Sequence, residues 1–429
     1  MRWQESWKYV ASSFVFVLFL FGLMDMLFRL LERSDSLSIK LSTKLCIKLC
    51  IKRHEANPTG NIRRFHLFRN DLNNKLRYGS VSRCFSTCSR LSFRMKRILL
   101  IQTGGTIAMH LDDRQTRLDP DRFTQLLHKE MPELRKIAEV DTLKLFFEDS
   151  SDIHPNHWSE LAHCLHRNWD RADGFVVLHG TDTMAYTASA LSFALQHLSK
   201  PVICTGSQIP MSNIRSDARR NLINAVELAT LPMNEVAICF NDTLYRGNRS
   251  TKISIGDFDA FASPNFPPLA DIGTQIELHE TWKRTDGDFS VNPLFGREIR
   301  LVTLYPGIDL RPLYRITERE AGERPGVVVM EAYGSGNIPM KEPANVLDWI
   351  RHCRENDWQV VITSQAVYDS VTLGAYAGGA AAADLGAVSA GDMTLEATIT
   401  KSMYLLGNGL RGDEFQTPFL TNLRGERSF

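Results

Sequence analysis

Gly174-Phe-Val-Val-Leu-His-Gly-Thr-Asp-Thr-Met-Ala-Tyr-Thr-Ala-Ser-Ala-Leu-Ser-Phe-Ala-Leu195 is the stretch on which the fold turns. Gly174 to Leu178 is a short apolar run of strand length, His179 to Thr183 interrupts it with a glycine, hydroxyls and a carboxylate, and Ala185 to Leu195 offers good helix formers. Further apolar runs of the same kind are Arg97 to Gln102, Pro201 to Thr205 and Glu235 to Phe240. They end in Thr103-Gly-Gly-Thr106, Thr205-Gly-Ser-Gln208 and Asn241-Asp242, where ligands sit in such folds, outside the carboxyl ends of strands. The alternation predicts a parallel α/β sheet covered by helices.

Toward the C-terminus, the polar stretch Glu277 to Asn292, with Gly287 inside it, breaks the apolar rhythm before Arg300 to Tyr305 resumes it. Gly326 to Met330 and Gln359 to Thr363 are further strand candidates, and Met393 to Leu406 is an apolar, helix-like stretch. The expected organisation is a larger N-terminal domain carrying the polar loops (residues 95–280), a linker (281–299) and a smaller C-terminal α/β domain (300–429).

Residues 1–94 differ in kind. They hold 17 Lys+Arg against 6 Asp+Glu, whereas the remaining residues hold 33 against 43, so a near-neutral chain joins a basic segment to an acidic one at Met95. Val10 to Met24 is a charge-free run of 15 residues, short of the roughly 20 that span a bilayer. Lys40 to Lys52 is a degenerate tandem with no globular pattern. Two readings stand: this basic N-terminal extension is an anchor or leader, or translation begins at Met95. A membrane partner follows only if residues 1–94 are translated and act as an anchor. Cys46, Cys50, Cys84 and Cys88 do not form a set with zinc-site spacing, and no metal is expected. Cys164, Cys204, Cys239 and Cys353 stand far apart, mostly in apolar runs, which predicts buried free thiols. The acidic balance of residues 95–429 gives no electrostatic reason to expect nucleic acid as a partner, and a small-molecule enzyme fits better.

Three motifs carry candidate chemistry. Thr103-Gly-Gly-Thr-Ile-Ala108 puts Thr106 directly after two glycines at a strand end, where missing Cβ atoms permit close approach of a substrate; the plain structural alternative is a tight strand-to-helix turn. It has neither dinucleotide-site nor phosphate-loop spacing. Thr181 and Asp182 precede a helix N-terminus, where backbone N–H groups bind a carboxylate or a developing oxyanion, unless Asp182 or Thr183 simply caps the helix. A threonine hydroxyl needs a base to become a nucleophile, and Lys252, after Tyr245-Arg-Gly-Asn-Arg249, is a candidate, the alternative being an ordinary solvated lysine.

Taken together these motifs resemble the bacterial-type L-asparaginases, in particular the cytoplasmic type I branch, from Met95 to Phe429. The resemblance rests on Thr103-Gly-Gly-Thr-Ile107, Asp149-Ser-Ser-Asp152, His179-Gly-Thr-Asp-Thr-Met-Ala-Tyr-Thr-Ala-Ser-Ala190, Thr205-Gly-Ser-Gln-Ile-Pro210, Tyr245-Arg-Gly-Asn-Arg249, Asp259-Ala-Phe-Ala-Ser-Pro-Asn265 and Gly391-Asp-Met-Thr-Leu-Glu-Ala397, in family order. It implies an asparaginase-like fold, hydrolysis of L-asparagine to L-aspartate and ammonia, a cytoplasmic location, no cofactor, and a homodimer or dimer of dimers. It also implies Thr106 as nucleophile, a second group of Thr181, Asp182 and Lys252, and substrate binding by Ser150, Ser151, Thr181 and Asp182. A neighbouring subunit would close each site, with Asn337 or Asp369 as its contribution.

One departure from the family stands out: the loop after the nucleophile, residues 110–120, lacks the usual tyrosine, and none occurs between Met95 and Tyr186. Either His110, Thr116 or Arg117 assists, or Lys252 transfers the proton alone. The competing functions are a glutaminase-leaning enzyme, which differs by one methylene of pocket depth, and a non-catalytic amino-acid sensor that keeps the ligands without the chemistry.

Overall fold

Strand β1 (Arg97–Gly104) buries both of its faces. Successive strand side chains point to opposite sides, and here Ile98 and Leu100 pack with Val176, Leu222 and Val226, while Leu99 and Ile101 pack with Phe175, Leu161 and Leu191. A strand covered on both faces needs an unbroken apolar run, which is why these segments do not alternate with polar residues. The computed structural model describes residues 94–428 apart from 113–114, 119–126, 128, 130, 280–285 and 319–323, and of 108–118 at most the backbone. The apolar run from Val10 to Met24 and Cys46, Cys50, Cys84 and Cys88 lie outside the described residues.

The other strands of the large sheet are β2 (Glu139–Glu148), β3 (Gly174–Leu178), β4 (Val202–Thr205), β5 (Val236–Phe240), β6 (Thr243–Arg246), β7 (Ala270–Ile272) and β8 (Ile276–Leu278). Their spatial order is β8-β7-β6-β5-β4-β3-β1-β2. From β2 to β5 the strands run parallel, and β6, β7 and β8 continue antiparallel at one edge. Helix α1 (Pro155–Arg167) and helix α2 (Met184–Ala194) cover one face, and helix α3 (Ala218–Leu228) covers the other. The chain leaves β1 for β2 on one side and β3 for β4 on the other. The loops beyond β1 and β3 therefore part at a topological switch point, where open α/β sheets form their ligand crevice.

Asn241-Asp242 is the two-residue turn between β5 and β6, with Asn241 at φ +54° and its N–H donating to Asn221 Oδ1 at 3.0 Å. Asn-Asp suits a hairpin that needs positive φ at its first turn position.

A second, four-stranded parallel sheet is built in sequence order from β9 (Ile299–Thr303), β10 (Val327–Ala332), β11 (Gln359–Ser364) and β12 (Val388–Ser389). Val328 and Met330 face Trp349 and Ile350 of helix α4 (Val346–Glu355), and Val327 and Val329 face Leu405 and Leu406 of helix α5 (Leu395–Gly407) with Phe415 and Phe419. Burying each such side chain is worth roughly 1.5–3 kcal/mol. Helix α5 also packs on α2, which brings the second sheet's elements toward the loops of the first. Within 281–299, Ser290–Val291 pairs antiparallel with Leu195–Gln196, and Phe289 stacks on Trp169 with ring centroids 3.6 Å apart, so this connection is bound to the first domain.

The four described cysteines, Cys164, Cys204, Cys239 and Cys353, are buried and free, and burial pushes the Cys204 and Cys353 thiols up to about 12. Among the described residues no helix is long and apolar enough to cross a membrane.

Candidate active site

Thr106 opens a short 3-10 turn, Thr106–Ala108, and is half-buried at the end of β1. The two glycines before it have φ +116° and +86°, a region that L side chains rarely adopt. A Cβ on Gly104 would strike the Glu148 backbone, and one on Gly105 would strike the backbone of His179 and Gly180. Bare backbone at these two positions therefore allows the ends of β1, β2 and β3 to meet. A Cβ on Gly180 would in turn strike the hydroxyl and Cβ of buried Ser150. Thr106, Ser150 and Thr181 are gathered here from three separate loops.

Lys252 joins this group from the short strand Thr251–Lys252. Its Nζ donates to Thr181 Oγ1 at 2.8 Å and to Asp182 Oδ1 at 2.7 Å. The lysine side chain is 16% exposed and the Asp182 side chain 64%, so the lysine is largely covered and its acid is turned toward solvent. The solvated-lysine alternative does not hold: the ammonium is directed onto a buried hydroxyl. The capping alternative is not realised either. Thr183 occupies the N-cap position of α2 with no side-chain cap, and its hydroxyl donates to Ser150 O at 2.7 Å, tying the β2 loop to the β3 loop.

Ser151 is exposed, and its N–H and hydroxyl both donate to Asp149 Oδ1 at 2.8 Å. These bonds hold the Asp149 carboxyl below its usual range. Any carboxylate bound at Ser151 has to displace one of them.

Two residues that sequence reasoning did not single out complete the site. Gln208, from the Thr205-Gly-Ser-Gln208 turn, accepts from Thr181 Oγ1 at 3.2 Å, while its amide nitrogen donates to Ser254 O at 3.3 Å and Asp257 O at 3.1 Å. Its sequence signals were its place at a strand end and within the motif Thr205-Gly-Ser-Gln-Ile-Pro210. His179 is buried beneath the Thr181 turn. Its Nδ1–H donates to Gly180 O at 2.7 Å, so Nε2 is left to accept from Thr187 Oγ1 at 2.8 Å, which accepts in turn from Trp158 Nε1 at 3.0 Å. Burial, opposed by the Gly180 bond and helped by His157, lowers its pKa to about 4.

This neutral His179 sets an acid limit on stability. The unfolded chain binds the proton near pH 6.5 and the folded chain near pH 4, so stability is full above about 6.5 and falls as pH drops toward 4, by about 3 kcal/mol in total. Urea unfolding of wild type and His179→Asn between pH 7 and 4 is expected to show this component only in wild type. Parallel pH dependences would exclude it.

The side chains of His110, Thr116 and Arg117 lie outside the described residues. Their backbone forms an antiparallel hairpin of Met109–Asp112 with Gln115–Leu118. Among the described residues no three His, Cys, Asp or Glu side chains are grouped to hold a metal ion.

The family model described as "Asparaginase, N-terminal" matches residues 97–284, and "Glutaminase/Asparaginase C-terminal domain" matches 298–419. L-asparaginase 1 of Escherichia coli (strain K12) is 40% identical over 346 residues, which cover 77% of this chain and 98% of that protein. The crystal structure of L-asparaginase I from Vibrio cholerae superposes with a TM-score of 0.71 at 38% identity, covering 78% of this chain and all of the other. A "60 kDa lysophospholipase" of Mus musculus is also similar in sequence, 35% identical over 77% of this chain and 62% of that protein. Both domains and their two sheets agree with these matches, and this chain belongs to the asparaginase family, in the branch of L-asparaginase I, as an amidohydrolase.

Proposed function

We propose that the enzyme hydrolyses L-asparagine to L-aspartate and ammonia with Thr106 as nucleophile. The observation that carries this reading is Lys252 bonded to both Thr181 and Asp182 at 2.8 and 2.7 Å, on the loop whose Gly180 backs onto Gly105. Thr106 Oγ attacks the side-chain amide carbon, giving a tetrahedral oxyanion beside the uncapped N-terminus of α2. Its collapse expels ammonia as the leaving nitrogen takes back the proton that Thr106 gave up, and water then cleaves the aspartyl ester, losing one proton to the base and releasing the Thr106 hydroxyl. Lys252 is the base in both steps, and because it touches Thr181, the proton passes through that hydroxyl. Asp182, open to solvent, takes the substrate's ammonium, and Ser150 and Ser151 take its carboxylate, Ser151 by exchanging its bond to Asp149. No cofactor enters this scheme.

The test is ammonia release by purified protein from asparagine and from glutamine. Turnover of asparagine at higher kcat/KM than glutamine is expected. A reversed ratio would make it a glutaminase, and release from neither would favour the sensor.

The assembly proposed is a homodimer or a dimer of dimers. Ile253 and Ile255, on the loop just after Lys252, are 57% and 89% exposed, and Val367 and Tyr368 are 55% and 66% exposed. Asn265 Nδ2 donates to Val367 O and Asp369 O, which brings the second pair near the site. Apolar surface of this kind beside a crevice is suited to cover by another subunit. Light scattering at assay concentration is expected to show at least a dimer; a fully active monomer would contradict it.

A further inference from the structure

Lys252 belongs by sequence to the first domain, yet the polar groups that hold its segment come from the end of the chain. Thr251 Oγ1 donates to Glu396 Oε1 of α5 at 2.7 Å across 145 residues. Arg249, 1% exposed, pairs with Asp392 at 2.8 Å, donates to Gly425 O at 2.8 Å and reaches Ser428 Oγ at 3.1 Å. Asn248 Nδ2 donates to Arg424 O at 3.1 Å, and Ser428 N to Asp392 Oδ1 at 3.0 Å. The tail that offers these carbonyls is itself anchored: Lys401 and Glu426 form a fully buried pair at 2.5 Å, and Glu426 accepts from Leu423 N and Arg424 N at 3.0 and 2.7 Å.

Against this, the strand that carries Lys252 is two residues long and pairs with Phe261–Ala262, continued by a bond from Ile253 N to Ala260 O at 2.8 Å. A lysine on a four-carbon stem is aimed largely by the backbone it leaves, and so short a ladder fixes that backbone weakly. We propose that Glu396 and Asp392 are positioning residues, which through Thr251 and Arg249 set the strand end from which Lys252 meets Thr181 and Asp182. Glu396 is almost fully buried, and burial pushes its carboxyl up, opposed by the Thr251 bond. Packing alone does not call for an acid there, since apolar groups of similar volume replace buried polar ones at little cost or with gain. Holding the Thr251 hydroxyl does call for an acceptor at that point.

This inference rests on the proposed role of Lys252, so its test has two readouts. Thr251→Val, Glu396→Leu and Glu396→Gln are made in the full chain. The first readout is kcat and KM for asparagine; the second is the rate at which a small amine-reactive reagent labels Lys252, followed by mass spectrometry. Thr251→Val and Glu396→Leu are expected to lower kcat by roughly 10- to 100-fold, the scale of a displacement of about 1 Å. KM should change less than kcat, because Ser150, Ser151 and Asp182 stand on the loops after β2 and β3, which Thr251 and Glu396 do not hold, and Lys252 labelling should rise as its Nζ loses its partners. Glu396→Gln keeps an acceptor oxygen and should restore near wild-type kcat. Folded Thr251→Val and Glu396→Leu with a lowered melting point but unchanged kcat and labelling would overturn the inference. Should Glu396→Leu not fold, Thr251→Val, which keeps the side-chain shape, decides alone. A wild type that releases no ammonia from either amide would remove the functional reading, and the labelling rates would still judge the positioning.

Discussion

Thr106→Ala should lose at least about 10⁴-fold in kcat on asparagine while keeping its fold and its affinity for aspartate, because removing a nucleophile abolishes the covalent route outright. Thr106 is half-buried at the end of β1, and the side chains packed about that strand, Ile98 to Ile101, are untouched by the change. Circular dichroism and thermal melting should match wild type, and calorimetry should still register aspartate. Thr106→Ser, which restores a hydroxyl, should recover part of the rate. Turnover of more than a few per cent in Thr106→Ala would remove this residue from the nucleophile role, and attention would pass to Thr181, the hydroxyl that Lys252 touches.

The second large effect concerns that pair. Thr181→Val and Lys252→Met are each expected to lower kcat by roughly 10²- to 10⁴-fold, the range for a missing general base. Since the 2.8 Å bond makes them one proton path, the double variant should be little worse than either single one. Multiplying losses in the double variant would mean that the two act separately. The same kinetics settle the loop that lacks a tyrosine. His110→Ala should leave kcat near wild type. A loss in His110→Ala as large as that in Lys252→Met would transfer the base to the hairpin.

The sequence by itself determined the secondary structure that carries the site, because that information is local. Gly174–Leu178 and the run from Arg97 are apolar throughout, and Met184–Ala194 follows the polar turn as a helix. The paired glycines announced a close approach, expected from a substrate, and the structure fills the space beside Gly105 with the backbone of His179 and Gly180. Local pattern misled at Asn241-Asp242, where a polar strand end serves a hairpin turn, since turn chemistry and site chemistry use the same residue types. The antiparallel edge of the large sheet follows from that turn.

Tertiary structure alone decided which polar groups meet. Lys252 reaches Thr181 across 71 residues, Thr251 reaches Glu396 across 145, and Arg249 reaches Gly425 across 176. The physical reason is that a side chain's partner at such separations depends on how helices α2 and α5 pack and on where the tail is anchored. These are sums of many small contacts, and no residue's neighbours in sequence encode them. Periodicity tells which face of an element is buried, whereas the bond that aims a lysine or holds a glutamine exists only once the faces have met.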